Sequence, residues 1–248
     1  MMSLTNVSTA NIIKKQYIHK MTSYRDAWKS LIITQLIALA ISSFSTGGGT
    51  TSGDFYSINV TNYSVDVVFF FTVFWAFIAS FLVTTNSYTY EDFSYVSNRT
   101  TSAVSAILFV ASITTIAAIF TMLSSYFIFM VMYLTQDVNI LYGSNTIGDF
   151  SEILSSFAAV WGYLLLASSV GYIIGALVQI SRIFSLVIPV LIFLPGFMNV
   201  QVPILTDVVT FFTTETSVMM FTMKVLITAI LLFMLGWLLS AKKEVRTW

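Results

Sequence analysis

Long apolar runs separated by short polar ones dominate this chain from residue 28 to residue 240. A run of about 18 or more apolar residues with few charges predicts a helix able to span a bilayer. Six spans are predicted, at 28–44, 65–85, 103–134, 153–180, 183–198 and 219–240. The first is short for a crossing and carries Gln35 at its middle. A buried amide costs free energy unless it is paired, so Gln35 is expected to face other helices. The second reads FFFTVFWAFIASF, with large aromatics on nearly all sides. The third, at about 1.5 Å per residue, would run roughly 48 Å, longer than the hydrocarbon layer, so it tilts, kinks or continues beyond it. The fourth contains GYIIG, in which Gly171 and Gly175 let two helix backbones approach. Pro189 and Pro195 interrupt the fifth, predicting a kink or a re-entrant half-helix.

The polar stretches differ from one another. Over residues 11–29, Ile12, Ile13, Tyr17, Met21, Tyr24 and Trp28 recur every three or four positions, with Lys14, Lys15, Lys20 and Arg25 among the rest. That pattern predicts an amphipathic helix in the headgroup layer. Residues 42–64, rich in Gly, Ser and Thr without periodicity, read as an extramembrane loop, and 199–216 as a polar loop. The expected fold is all-α and polytopic. An arm at 1–29 carries the interfacial helix, a six-helix transmembrane domain covers 30–240, and a tail runs over 241–248.

Composition confirms the class. Charged residues are 9% and hydrophobic residues 57% of the 248, and the mean hydropathy is +0.87. Soluble domains carry roughly 25% charged residues. The formal net charge is zero, but the charges are unevenly placed. With six spans, Lys14, Lys15, Lys20, Arg25, Lys29, Arg99, Arg182, Lys242, Lys243 and Arg246 fall on one side. Lys224 is the remaining one of the 11 basic residues. The positive-inside rule then puts both termini in the cytoplasm. There is no cysteine, so disulfides and thiolate metal sites are excluded.

Little in the chain looks catalytic. It has no phosphate-binding GxxxxGK[ST] loop, no HExxH and no GxSxG. No predicted span has a carboxylate at its middle, which disfavours a proton- or ion-coupled carrier. Lys224, just inside the sixth span, fits two readings. It snorkels to the outer headgroups, or it faces an outer cavity or pairs with Glu215. The segment 88–102, YTYEDFSYVSNRTTS, is the cytoplasmic loop long and mixed enough to be a contact surface. As a short helix it would set Phe93 and Val96 on one face, with Tyr95 beside them and Glu91, Asp92 and Arg99 flanking. That composition suits a knob filling a partner's groove. It equally suits an amphipathic connector resting on lipid.

In layout, over its whole length, the chain resembles the membrane subunit of an ABC-2 type ATP-binding-cassette exporter. The features are the basic helix before span one, six spans with both ends inside, and an acidic-aromatic segment running into Ser97–Asn98–Arg99 before span three. A proline-broken fifth span completes the set. The resemblance implies a coupling helix at about 88–102 that docks on separate cytoplasmic ATPase subunits through Glu91, Asp92, Phe93, Ser94, Tyr95, Val96 and Arg99. It implies ATP and Mg bound by those subunits, no cofactor or catalysis in this chain, and a second copy or a homologous permease as partner. Small outer loops look like those of Gram-positive exporters of amphipathic peptides, the phenol-soluble-modulin exporters and lantibiotic-immunity permeases among them. The expected location is then a bacterial cell membrane, and the expected cargo an amphipathic peptide or lipid-like molecule, with no nucleic acid. Gln35, Phe70, Phe74, Phe77, Met219, Met223 and Lys224 are candidates for the translocation path, since aromatic and methionine side chains make an adaptable apolar surface. The competing expectation is a stand-alone channel-like or scaffolding membrane protein without an ATPase.

Overall fold

A computed structural model describes residues 8–44, 46–53, 56–63, 65–85, 88, 99–135, 150–181, 183–185, 187, 203–215 and 217–241. Its helices are α1 (Thr9–Ser23), α2 (Arg25–Phe44), α3 (Asp66–Val83), α4 (Arg99–Thr135), α5 (Phe150–Ile180), α6 (Pro203–Thr213) and α7 (Val218–Ala241). Between α2 and α3 lie strands β1 (Thr46–Gly53) and β2 (Tyr56–Tyr63). Among the described residues, four helices contain stretches long and apolar enough to cross a membrane: Asp66–Val83, Thr100–Ile128, Phe150–Ile180 and Val218–Ser240. They match the second, third, fourth and sixth expected segments. α2 covers the first segment but is not one of the four, and residues 183–198 lie largely outside the described residues.

Helix is the only open-ended way to pair every backbone group inside hydrocarbon, which is why these apolar runs are helical. Cross-helix contacts set their directions. The Trp75 indole donates to Ser30 Oγ at 3.0 Å, and Gln35 Nε2 to Thr72 Oγ1 at 2.7 Å. Numbers therefore rise along α2 as they fall along α3. Ala38, Val68 and Ile128 cluster one level further on, which sets α4 parallel to α2. α5 and α7 run with α3, as Phe69 meets Tyr163 while Ser80 Oγ donates to the Ser168 carbonyl at 2.6 Å. Gly162 lies beside Phe221, and Gly236 beside Tyr172. One end of the bundle thus holds Arg25, Arg99 and Ile180 together with α1. The other holds Asp66, Glu152, Asp207 and Glu215.

The core joins Trp75, Ala76 and Ala79 of α3, Phe109, Val110 and Ile113 of α4, Leu164 and Tyr172 of α5, and Phe233 of α7. Outward, Ile32, Ile33, Leu36, Phe70, Phe74, Leu123, Ile227 and Leu231 are exposed. A continuous apolar exterior of this kind marks a surface made for lipid or for another protein.

Three expectations need correction. Residues 46–63 are not an irregular loop but an antiparallel hairpin in register from Thr46↔Tyr63 to Gly53↔Tyr56. Ile58 and Val60 alternate with polar residues in β2, a two-residue period that the glycines of β1 obscure. The expected loop at 199–216 contains helix α6, which opens on Pro203; proline suits a first helical turn because its missing N–H would lack a partner there anyway. The helix expected across 11–29 ends at Ser23, and Tyr24 (φ −79°, ψ 55°) turns the chain into α2.

Candidate coupling surface and path

Of the expected docking residues, Glu91, Asp92, Phe93, Ser94, Tyr95 and Val96 lie outside the described residues. Arg99 is the first residue of α4. What the structure describes is how the two flanks of that segment are held. On one flank, Tyr88 packs against Tyr24 edge-on, with ring centroids 4.5 Å apart, and its carbonyl accepts from Tyr24 Oη at 3.5 Å. On the other flank, the Ser102 carbonyl accepts from Lys20 Nζ at 3.2 Å. Lys20 and Tyr24 are one helical turn apart. Both ends of the segment therefore rest on the C-terminal turn of α1.

That turn is tightly built. Tyr24 is 3% exposed and also meets Phe109 at 5.3 Å, with the rings nearly perpendicular. The Trp28 indole donates to the Met21 carbonyl at 3.2 Å and braces the corner between α1 and α2. Tyr17 Oη lies 2.9 Å from Ser112 Oγ of α4. Lys20, expected on the polar side of an interfacial helix, is instead 1% exposed. The helix buries Gln16 and Lys20, four residues apart, and leaves Ile18 half exposed. For Lys20 the reason is what α1 packs against, since α4 offers it the Ser102 carbonyl. The sequence does not single out Gln16, and it presents Tyr24 as one of the apolar positions of the interfacial helix, not as a contact of residue 88. The aromatic pair at 24 and 88 is too far apart along the chain for any spacing rule to join it.

The path candidates do not converge on one surface. Gln35 is buried at the junction of α2, α3 and α4. It donates to Thr72 Oγ1 at 2.7 Å and to Thr121 Oγ1 at 3.4 Å, and accepts from Ser124 Oγ at 3.1 Å. This is the inward position its amide demands. Phe70 and Phe74 are on the outside of α3, 59% and 60% exposed, with Phe77 half-buried on the same stripe. Met219 and Met223 are exposed on α7.

Lys224 does not snorkel alone. Its Nζ donates to Glu215 Oε1 and sits 4.2 Å from the centre of the Phe211 ring. The two side chains are only 25% and 17% exposed. Beside them opens a cleft of about 130 Å³ walled by Tyr163, Phe212, Glu215, Val218 and Phe221. The second of the two readings of Lys224, pairing with Glu215, is the one realised. No protein-family model matches the chain, and neither a curated protein nor a solved structure is significantly similar to it.

Proposed function

We propose that this chain is the membrane subunit of an ATP-driven exporter of the ABC-2 type, with cytoplasmic ATPase subunits docked on residues 91–99. One observation carries the reading. The segment's two flanks, Tyr88 and Ser102, are both seated on the last turn of α1, at Tyr24 and Lys20. A push on the segment would move α1 and the start of α4 together, and α1 leads through the braced corner into α2. In this reading the force comes from the partner, which binds ATP and Mg.

The bundle's directions favour six spans. Ile180 ends beside α1, whereas α6 lies at the opposite end, where Tyr163 Oη meets the Phe212 carbonyl at 3.5 Å. A return of the chain between them, counted with α2, would make six crossings. With the basic residues at the α1 end in the cytoplasm, both termini are inside a bacterial cell membrane. The permease works with a second copy or a homologous permease. Its exposed aromatic stripe on α3 and methionines on α7 suit an amphipathic peptide or lipid-like cargo.

Extraction of the tagged full chain in detergent should bring a cytoplasmic ATPase with it and stimulate ATP hydrolysis on reconstitution. The variant Phe93→Ala with Tyr95→Ala should lose that ATPase while inserting and eluting like the wild type. Undiminished co-purification and transport in the double variant would remove the docking claim and favour a stand-alone membrane protein.

A further inference from the structure

The Lys224–Glu215 pair occupies an unusual place for two opposite charges. It lies where α6 meets the first turns of α7, at the end of the bundle remote from α1. Three-quarters or more of each side chain is withdrawn from solvent. The adjoining cleft has an aromatic wall in which the Tyr163 and Phe221 rings meet at a tilt of 50°, with centroids 5.1 Å apart. Its volume of about 130 Å³ leaves room for a group of a few heavy atoms. On the two helices that meet there, Val208 and Phe211 of α6 and Met219, Met220 and Met223 of α7 present exposed apolar side chains.

The geometry points to a headgroup site for a zwitterionic phospholipid in the leaflet at that end. The lipid phosphate takes the Lys224 ammonium, and the lipid ammonium enters the cleft against Glu215 and the faces of Tyr163 and Phe221. A cation over an aromatic face is favoured by the ring quadrupole, the more so when desolvated. The acyl chains run down the methionines of α7. Net charge selects the head: the pair sums to zero, so an anionic head would satisfy Lys224 but meet an unpaired Glu215. A zwitterion exchanges one internal ion pair for two intermolecular ones. The inference does not depend on an ATPase partner.

The test uses the full-length chain in detergent, with dioleoyl phosphatidylethanolamine and dioleoyl phosphatidylglycerol as competing probes and native mass spectrometry counting retained lipid. The wild type should retain phosphatidylethanolamine over phosphatidylglycerol by about tenfold, the effect of one charge-assisted hydrogen bond. Equal retention of the two overturns the proposal without any variant. Glu215→Gln should erase the preference. The swapped variant Glu215→Lys with Lys224→Glu separates a lipid site from a merely structural pair. It restores the ion pair and with it the melting temperature. It does not restore the preference, because the acyl chains fix which end of the headgroup is deeper. A swapped variant that keeps the wild-type preference would also sink the idea.

Discussion

Helix α1 meets α4 through large and polar side chains, whereas α3 meets α5 through glycine and serine. At the first contact Tyr17 and Lys20 reach Ser112 Oγ and the Ser102 carbonyl of α4, and the Tyr24 ring packs edge-on against Phe109. At the second, a methyl group added to Gly171 would run into the Phe77 carbonyl and Ser80 Oγ, and one added to Gly175 into Thr84 Oγ1 and the Phe81 carbonyl. The difference follows from the solvent each contact must displace. In hydrocarbon no hydrophobic effect draws helices together, so α3 and α5 gain by close backbone approach and short hydrogen bonds. The α1 contact is set by side chains that can carry a polar tip on an apolar body. The first should therefore fail when a side chain is cut away, and the second when one is added.

The largest effect is expected at Tyr24. Tyr24→Ala empties a site touching Tyr88 and Phe109 and should cost about 3–5 kcal/mol. Denaturant titration in detergent reads the loss, and Tyr24→Phe, which keeps the ring and drops the hydroxyl that reaches the Tyr88 carbonyl at 3.5 Å, should recover most of it. Next is Gly171→Ala, a single methyl directed at backbone, expected to cost about 1–3 kcal/mol through overpacking. Gly236→Ala meets side-chain atoms of Tyr172 and Ile173 and no backbone, and should cost less. If Gly236→Ala proved the worse of the two, close backbone approach would not be what holds α3 on α5.

The contrast also explains how much the amino-acid pattern revealed. Segments at 65–85, 103–134, 153–180 and 219–240 are legible because a long apolar run has one structural solution in lipid, and their observed helices differ only at the ends. Gln35 is legible because a lone amide in such a run must turn inward, and it does. The α3–α5 contact is half legible: GYIIG advertises a close approach but not the partner. The polar parts are less readable. The hairpin at 46–63 is held by backbone register, which three consecutive glycines conceal. Lys20 looks like a headgroup residue until α4 supplies the Ser102 carbonyl, a contact 82 residues away in sequence. The docking residues 91–96 rest on the resemblance, and only their flanks at 88 and 102 are placed.

A third prediction has the opposite sign. Gln16 is 7% exposed, and neither its amide nitrogen nor its oxygen has a hydrogen-bond partner among the described residues. A buried amide without partners carries its desolvation cost uncompensated. Gln16→Met, close in volume and flexible, should therefore raise stability by about 1 kcal/mol, seen as a higher melting temperature. Lower stability would mean that the amide is held by a group brought in on assembly, and would mark Gln16 as part of the docking surface.

The smallest effect is expected in the middle of the α3–α5 contact. Ser80 Oγ donates to the Ser168 carbonyl at 2.6 Å and lies 3.1 Å from its own helix's Phe77 carbonyl. Removing the hydroxyl leaves the Ser168 carbonyl with its helical N–H, and interhelical hydrogen bonds in bilayers average only about 0.6 kcal/mol. Ser80→Ala should therefore cost about that much, within reach of a denaturant titration but not of an elution profile. Ser80→Val tests the same atom for space instead of bonding. It should cost more, because Gly171 leaves no room beside position 80. A larger penalty for Ala than for Val would make the hydrogen bond, and not the close approach, the source of this contact's stability, and the contrast with α1 would then be one of degree.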